Sequence, residues 1–103
     1  MRRVLASTLA LISLLGGCDA VEANRKVIEE SCIANGETAE VCSCLARESA
    51  ERLDPAVLEL IAMGAKGEAR DASEKSRTLD SPLRSQFAVE VPAIMDACGV
   101  TTP

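Results

Sequence analysis

The apolar residues of this chain follow two different patterns. Val4 to Leu15 is a nearly unbroken apolar run, interrupted only by Ser7, Thr8 and Ser13. From Ala20 onward the apolar positions return every three or four residues, the period of a half-buried helix, and no stretch alternates with the period of a strand. A first helix is predicted over Ala20 to Ala34, with Val21, Ile28 and Cys32 on one face, Val27 beside them, and Glu22, Arg25, Glu29 and Glu30 pointing away. It stops at Asn35-Gly36, where glycine takes the left-handed conformation of a helix end. Thr38 caps the second helix, whose stripe is Val41, Cys42, Leu45, Ser49 and Leu53. Asp54-Pro55 is a cap followed by a proline in the first turn, where the missing N–H costs nothing, and it opens a third helix buried through Val57, Leu58, Ile61, Ala62 and Ala65. Glu68 to Arg77 carries only Ala69 and Ala72 as apolar members and reads as a solvated helix or a connector. Ser81-Pro82 repeats the cap-and-proline device and starts the last helix, with Leu83, Phe87, Val91, Ile94, Met95 and Cys98 on its stripe and a kink expected at Pro92. On this stripe Phe87 and Met95 are expected to fill the core.

The predicted architecture is therefore all-α: a small bundle of about four helices that follows an N-terminal signal helix. Twelve residues make a helix of about 18 Å, short of the ~30 Å hydrocarbon core, so Val4 to Leu15 suits a cleaved export signal better than a permanent span. Arg2 and Arg3 supply its cationic start. They follow Met1 directly, without the polar residues that precede a twin-arginine signal, so general secretion is the expected route.

The end of the run is more specific. Leu15-Gly16-Gly17-Cys18 resembles the lipobox of bacterial lipoproteins, in which the chain is cut just before the cysteine and the cysteine is acylated. The resemblance covers the first eighteen residues. It implies a signal peptide at 1–17, a mature domain at 18–103, and acyl chains such as palmitate on Cys18, several of which together give lasting attachment where one is marginal. A cut after Ala20 by the ordinary signal peptidase is the competing reading. In enteric lipoproteins an aspartate directly after the acylated cysteine favours retention in the inner membrane, and Asp19 holds that place. The resemblance thus implies a periplasm-facing, lipid-anchored location, with the inner membrane favoured over the outer.

Five cysteines are an odd number for an exported chain. If Cys18 carries lipid, Cys32, Cys42, Cys44 and Cys98 remain, an even set in a compartment where disulfides persist. A bridge between Cys42 and Cys44 is disfavoured, because one intervening residue leaves little freedom to reach disulfide geometry. Cys32 then pairs with Cys42 or Cys44, and the other with Cys98. The short turn between Cys32 and Cys42 makes the first two helices antiparallel and sets these cysteines almost symmetrically about it. Cys44 lies to one side of the second helix's stripe and can reach the last helix. The spacing therefore favours Cys32 with Cys42 and Cys44 with Cys98. The pattern as a whole resembles small exported cysteine-containing helical proteins of bacteria, a resemblance that implies a fold but no activity. Metal binding is not expected, since only Cys42 and Cys44 are close in sequence.

Composition narrows the function further. The 103 residues include no histidine, no tryptophan, no tyrosine and a single phenylalanine, Phe87. Without histidine, Ser-His-Asp and Cys-His catalysis and histidine-containing zinc sites are excluded. There are 11 basic against 16 acidic residues, and loss of Arg2 and Arg3 with the signal leaves 9 against 16, a net of -7 for the mature chain. An acidic chain with one aromatic ring has neither the cationic stripe nor the stacking platform of a nucleic-acid binder. Carboxylate pairs such as Glu48 and Glu51 read as solvated surface. The resulting expectation is a lipid-anchored envelope protein that acts as a small interaction or inhibitor module on another envelope protein, with no cofactor and no catalysis of its own. The alternative is a thiol-disulfide redox protein using Cys42 and Cys44, although Glu37, Glu40 and Glu48 around them favour thiol over thiolate.

Overall fold

A computed structural model describes residues 19–101. Every regular element among them is helical: α1 (19–34), α2 (Ala39–Arg52), α3 (Pro55–Ala65), α4 (Ala69–Ser76) and α5 (Ser81–Cys98). The signal helix expected over 1–17, and Cys18 itself, lie outside the described residues. The bundle thus has five helices where about four were expected. The additional one is the polar run, which is fully helical although none of its residues is buried.

Each boundary has a local cause. Thr38 Oγ1 accepts from the Val41 N–H at 3.2 Å and starts α2, and Asp54 Oδ1 accepts from the Ala56 N–H at 2.9 Å and starts α3 with Pro55 in its first turn. The start of α5 departs from the expectation. Asp80 is its cap, without a side-chain hydrogen bond, and Ser81-Pro82 sits inside the first turn. Proline fits there because the first-turn N–H groups have no helical acceptor. Three helices end in the same way. Gly36, Gly67 and Gly99 have φ of 95°, 86° and 77°, and the N–H of the residue after each returns to the carbonyl five residues back: Glu37 to Cys32, Glu68 to Met63, and Val100 to Met95. This closure satisfies otherwise orphaned carbonyls and needs a residue without a Cβ in the left-handed region. Pro92 lies within α5 and the helix continues through it to Cys98, with Pro92 on the exposed side.

The core has two linked parts. Ile28 of α1, Ala46 of α2, and Leu58 and Ala62 of α3 form the first, and Leu53, Val57 and Ile94 form the second. Leu45 and Ile61 touch both and join them. α2 packs along α5 and α3 along α4. Against α3, α4 presents Ala72 and Ser76, both half-buried, and Lys75 Nζ reaches Glu59 Oε1 at 2.8 Å. That contact, the turn at Gly67 and the high helix propensity of its Ala, Arg, Glu and Lys residues make the polar run a docked helix.

Two expectations about burial fail. Phe87 does not fill the core: it is 39% exposed, while Ile94, about two turns further along the same stripe, is 1% exposed. Conversely Ala46 and Leu60 are buried, at 0% and 3% exposure, although neither stood on the stripe assigned to its helix.

Candidate functional site

Chemistry-bearing residues cluster where α1, α2 and α5 meet. Cys32 and Cys42 form one disulfide, with Cα atoms 5.5 Å apart, and Cys44 and Cys98 form the other at 5.7 Å. The first fastens the α1–α2 hairpin beside its turn. The second ties the start of α2 to the end of α5 across 54 positions of sequence. Cys42 and Cys44 therefore hold different partners. At about 100° per residue they point to well-separated sides of α2, so Cys42 is fully buried while Cys44 and its partner Cys98 are half-buried.

Beside the buried bridge runs an open groove of about 290 Å³. It is lined by Ile28 and Cys32 of α1, Leu45 and Ser49 of α2, Ile61 and Ala65 of α3, and Val91 and Met95 of α5. The periodicity that buries Ile28 and Ile94 directs these residues inward, and where the four helices meet they leave this gap. One end is polar. There Asn35 and Glu37 line the groove together with Val100, and Glu37 Oε1 accepts from the Thr101 N–H at 3.1 Å and from Thr101 Oγ1 at 2.8 Å. These bonds strap the segment after α5 to the turn between α1 and α2. Ser49, the one buried polar residue among those described, lines it at 3% exposure.

Apart from Glu37, the charged groups lie outside the groove. On α1, Arg25 bridges Glu22 and Glu29, reaching Glu29 Oε1 at 3.2 Å. The Arg25 guanidinium hydrogen-bonded to Glu22 holds its carboxyl below the usual carboxylate range, and the same contact raises Arg25 above its ordinary value. Arg52 of α2 meets Glu90 of α5 at 2.7 Å. Glu48 and Glu51, the carboxylates weighed as a pair, lie on α2, half-buried and exposed respectively. Among the described residues no group of three or more His, Cys, Asp or Glu side chains is placed to hold a metal ion, and no helix is long and apolar enough to cross a membrane.

Sequence reasoning anticipated the four cysteines of this region but not the groove. Its lining includes residues that periodicity assigns to a filled core, and periodicity does not show whether a neighbouring helix covers them. No protein-family model, no curated protein and no solved structure matches this chain.

Proposed function

We propose that the chain is a lipid-anchored envelope protein, attached by acyl chains through a thioether at Cys18, facing the periplasm and held in the inner membrane by Asp19. It acts as a small interaction or inhibitor module rather than as an enzyme. The observation that carries this reading is the sequence Leu15-Gly16-Gly17-Cys18 set directly before a helix that is already formed at residue 19. With so little chain between anchor and bundle, α1 fixes the height of everything else. At 1.5 Å per residue, the groove wall at residues 28–35 stands about 14 to 24 Å along α1 from its anchored end. On this reading α1 rises from the bilayer and carries the groove clear of its surface, where an apolar side chain of a neighbouring envelope protein can enter it. The groove is walled by helices pinned by two disulfides, so little ordering is lost on docking.

Intact-mass spectrometry of membrane-extracted protein, with and without reductant, tests the anchor. The expected species begins at Cys18, carries acyl mass, and gains the mass of four hydrogen atoms when the reductant opens both bridges. A chain beginning at Val21, or one lacking acyl mass, overturns it. A photo-reactive residue in place of Met95 tests the module in intact cells. A discrete protein adduct from Met95, absent when the probe replaces Arg70 on α4, is expected. Failure of both positions to give one overturns the interaction reading.

A further inference from the structure

The outer face of α5 differs from that of the polar helix α4. Where α4 exposes Arg70, Asp71, Glu74 and Lys75, α5 exposes two rows of residues four apart with apolar centres. The first row is Arg84, Ala88, Pro92 and Asp96. The second passes through Val89, which is 62% exposed, and Ala93. Opposite charges therefore close the two ends of the first row, and neither Arg84 nor Asp96 takes part in an ion pair among the described residues.

From this geometry we infer that α5 is a self-association surface whose occupant is α5 of a second copy, packed antiparallel. Positions 84 and 96 are equidistant from the level of Glu90 and about 18 Å apart along the axis. A twofold axis at that level sets Arg84 of each copy against Asp96 of the other and Ala88 against Pro92. The surface is thus complementary to itself, as an isologous interface must be. Rows four apart are the ridges by which helices interdigitate, and the small side chains at their centre let two axes approach to about 8 Å. A parallel pairing in register brings Arg84 against Arg84 and Asp96 against Asp96, so charge selects the antiparallel arrangement. On its inner side α5 is held by the Cys44–Cys98 bridge and by the ion pair of Glu90 with Arg52, so the outer face is presented in a fixed orientation. One pair of helices of this length buries less than the ~1,200 Å² of a standard interface, so the dimer is a weak, concentration-dependent one. The inference does not depend on the anchor at Cys18.

Charge exchange tests it. The full chain is solubilised in a non-ionic detergent and examined by sedimentation velocity from micromolar to millimolar concentration, as wild type, Arg84→Glu, Asp96→Arg and the double variant. Wild type is expected to shift from monomer to dimer, each single exchange to weaken the dimer about tenfold or more, and the double exchange to restore it to within about threefold. Val89→Arg is expected to abolish it. All three side chains altered are exposed, and restoration in the double variant itself shows that the fold is intact. A chain that stays monomeric throughout overturns the inference. So does a dimer indifferent to the exchanges, or one that the double exchange fails to restore.

Discussion

The backbone N–H of Asp54 donates to Gln86 Oε1 at 2.8 Å, while the carboxylate of the same residue accepts from the Ala56 N–H at 2.9 Å. One residue thus starts α3 with its side chain and is held to α5 through its main chain. Asp54→Ala is expected to cost about 1 kcal/mol, the ordinary value of a lost N-cap, and Gln86→Ala about 0.5 kcal/mol for an exposed hydrogen bond. The two contacts use different atoms of Asp54, and the main-chain N–H survives the substitution. The costs should therefore add to within about 0.5 kcal/mol, which urea denaturation of both single variants and the double variant measures.

The two disulfides should differ in both lability and contribution. Cys44 and Cys98 are half-buried, whereas Cys42 is fully buried and Cys32 nearly so. A thiol reductant must reach sulfur to attack it, so Cys44–Cys98 is expected to open first, with alkylation mapping finding label at these two residues before Cys32 and Cys42. The longer loop also confers more stability. Chain-entropy arithmetic gives about 4 kcal/mol for Cys44–Cys98 and about 3 kcal/mol for Cys32–Cys42, against a total of 5–15 kcal/mol typical of small domains. Complete reduction should then unfold the bundle. A circular dichroism melt unchanged by reductant would contradict this.

How far the fold could be read from the sequence depended on what each signal reports. Caps and stops are local: Thr38, Asp54, Gly36 and Gly99 act through hydrogen bonds within a few residues, and they stand at or beside the expected boundaries. Periodicity reports the direction of a side chain from its own axis but not whether another element lies opposite. Phe87 shows the difference. It shares a stripe with Ile94, yet α5 runs antiparallel to α2, Glu90 already meets Arg52 at the last residue of α2, and Phe87 lies nearly one turn beyond. No turn of α2 remains to cover it. The same gap in information hid the groove, since Val91 and Met95 are stripe residues that nevertheless line an open space.

Phe87 is consequently expected to be replaceable at little cost. Phe87→Ala should change stability by under about 1 kcal/mol, compared with the 3–5 kcal/mol of a buried phenylalanine. Leu58→Ala and Ile94→Ala, at 0% and 1% exposure in the two parts of the core, should each cost about 2–5 kcal/mol. Thermal melts of the three variants with both disulfides intact give the comparison. A loss at Phe87 equal to that at Leu58 would show that Phe87 is covered in solution.

The Glu22–Arg25 contact makes a prediction for pH. Glu22 titrates below its ordinary range because the Arg25 guanidinium hydrogen-bonds its ionised form. A carboxyl whose folded pKa is depressed adds stability above its unfolded pKa, and that stability is lost as pH falls through the folded value. NMR titration should therefore find the Glu22 midpoint below that of an ordinary glutamate, and Arg25→Gln should move it upward. The effect on stability is small, because both groups are solvated and salt screens them. It should appear as a slight melting difference between Arg25→Gln and wild type at neutral pH that closes once Glu22 is protonated in both. A difference that persists unchanged below the Glu22 midpoint would mean that Arg25 acts through the packing of its aliphatic stem rather than through its charge.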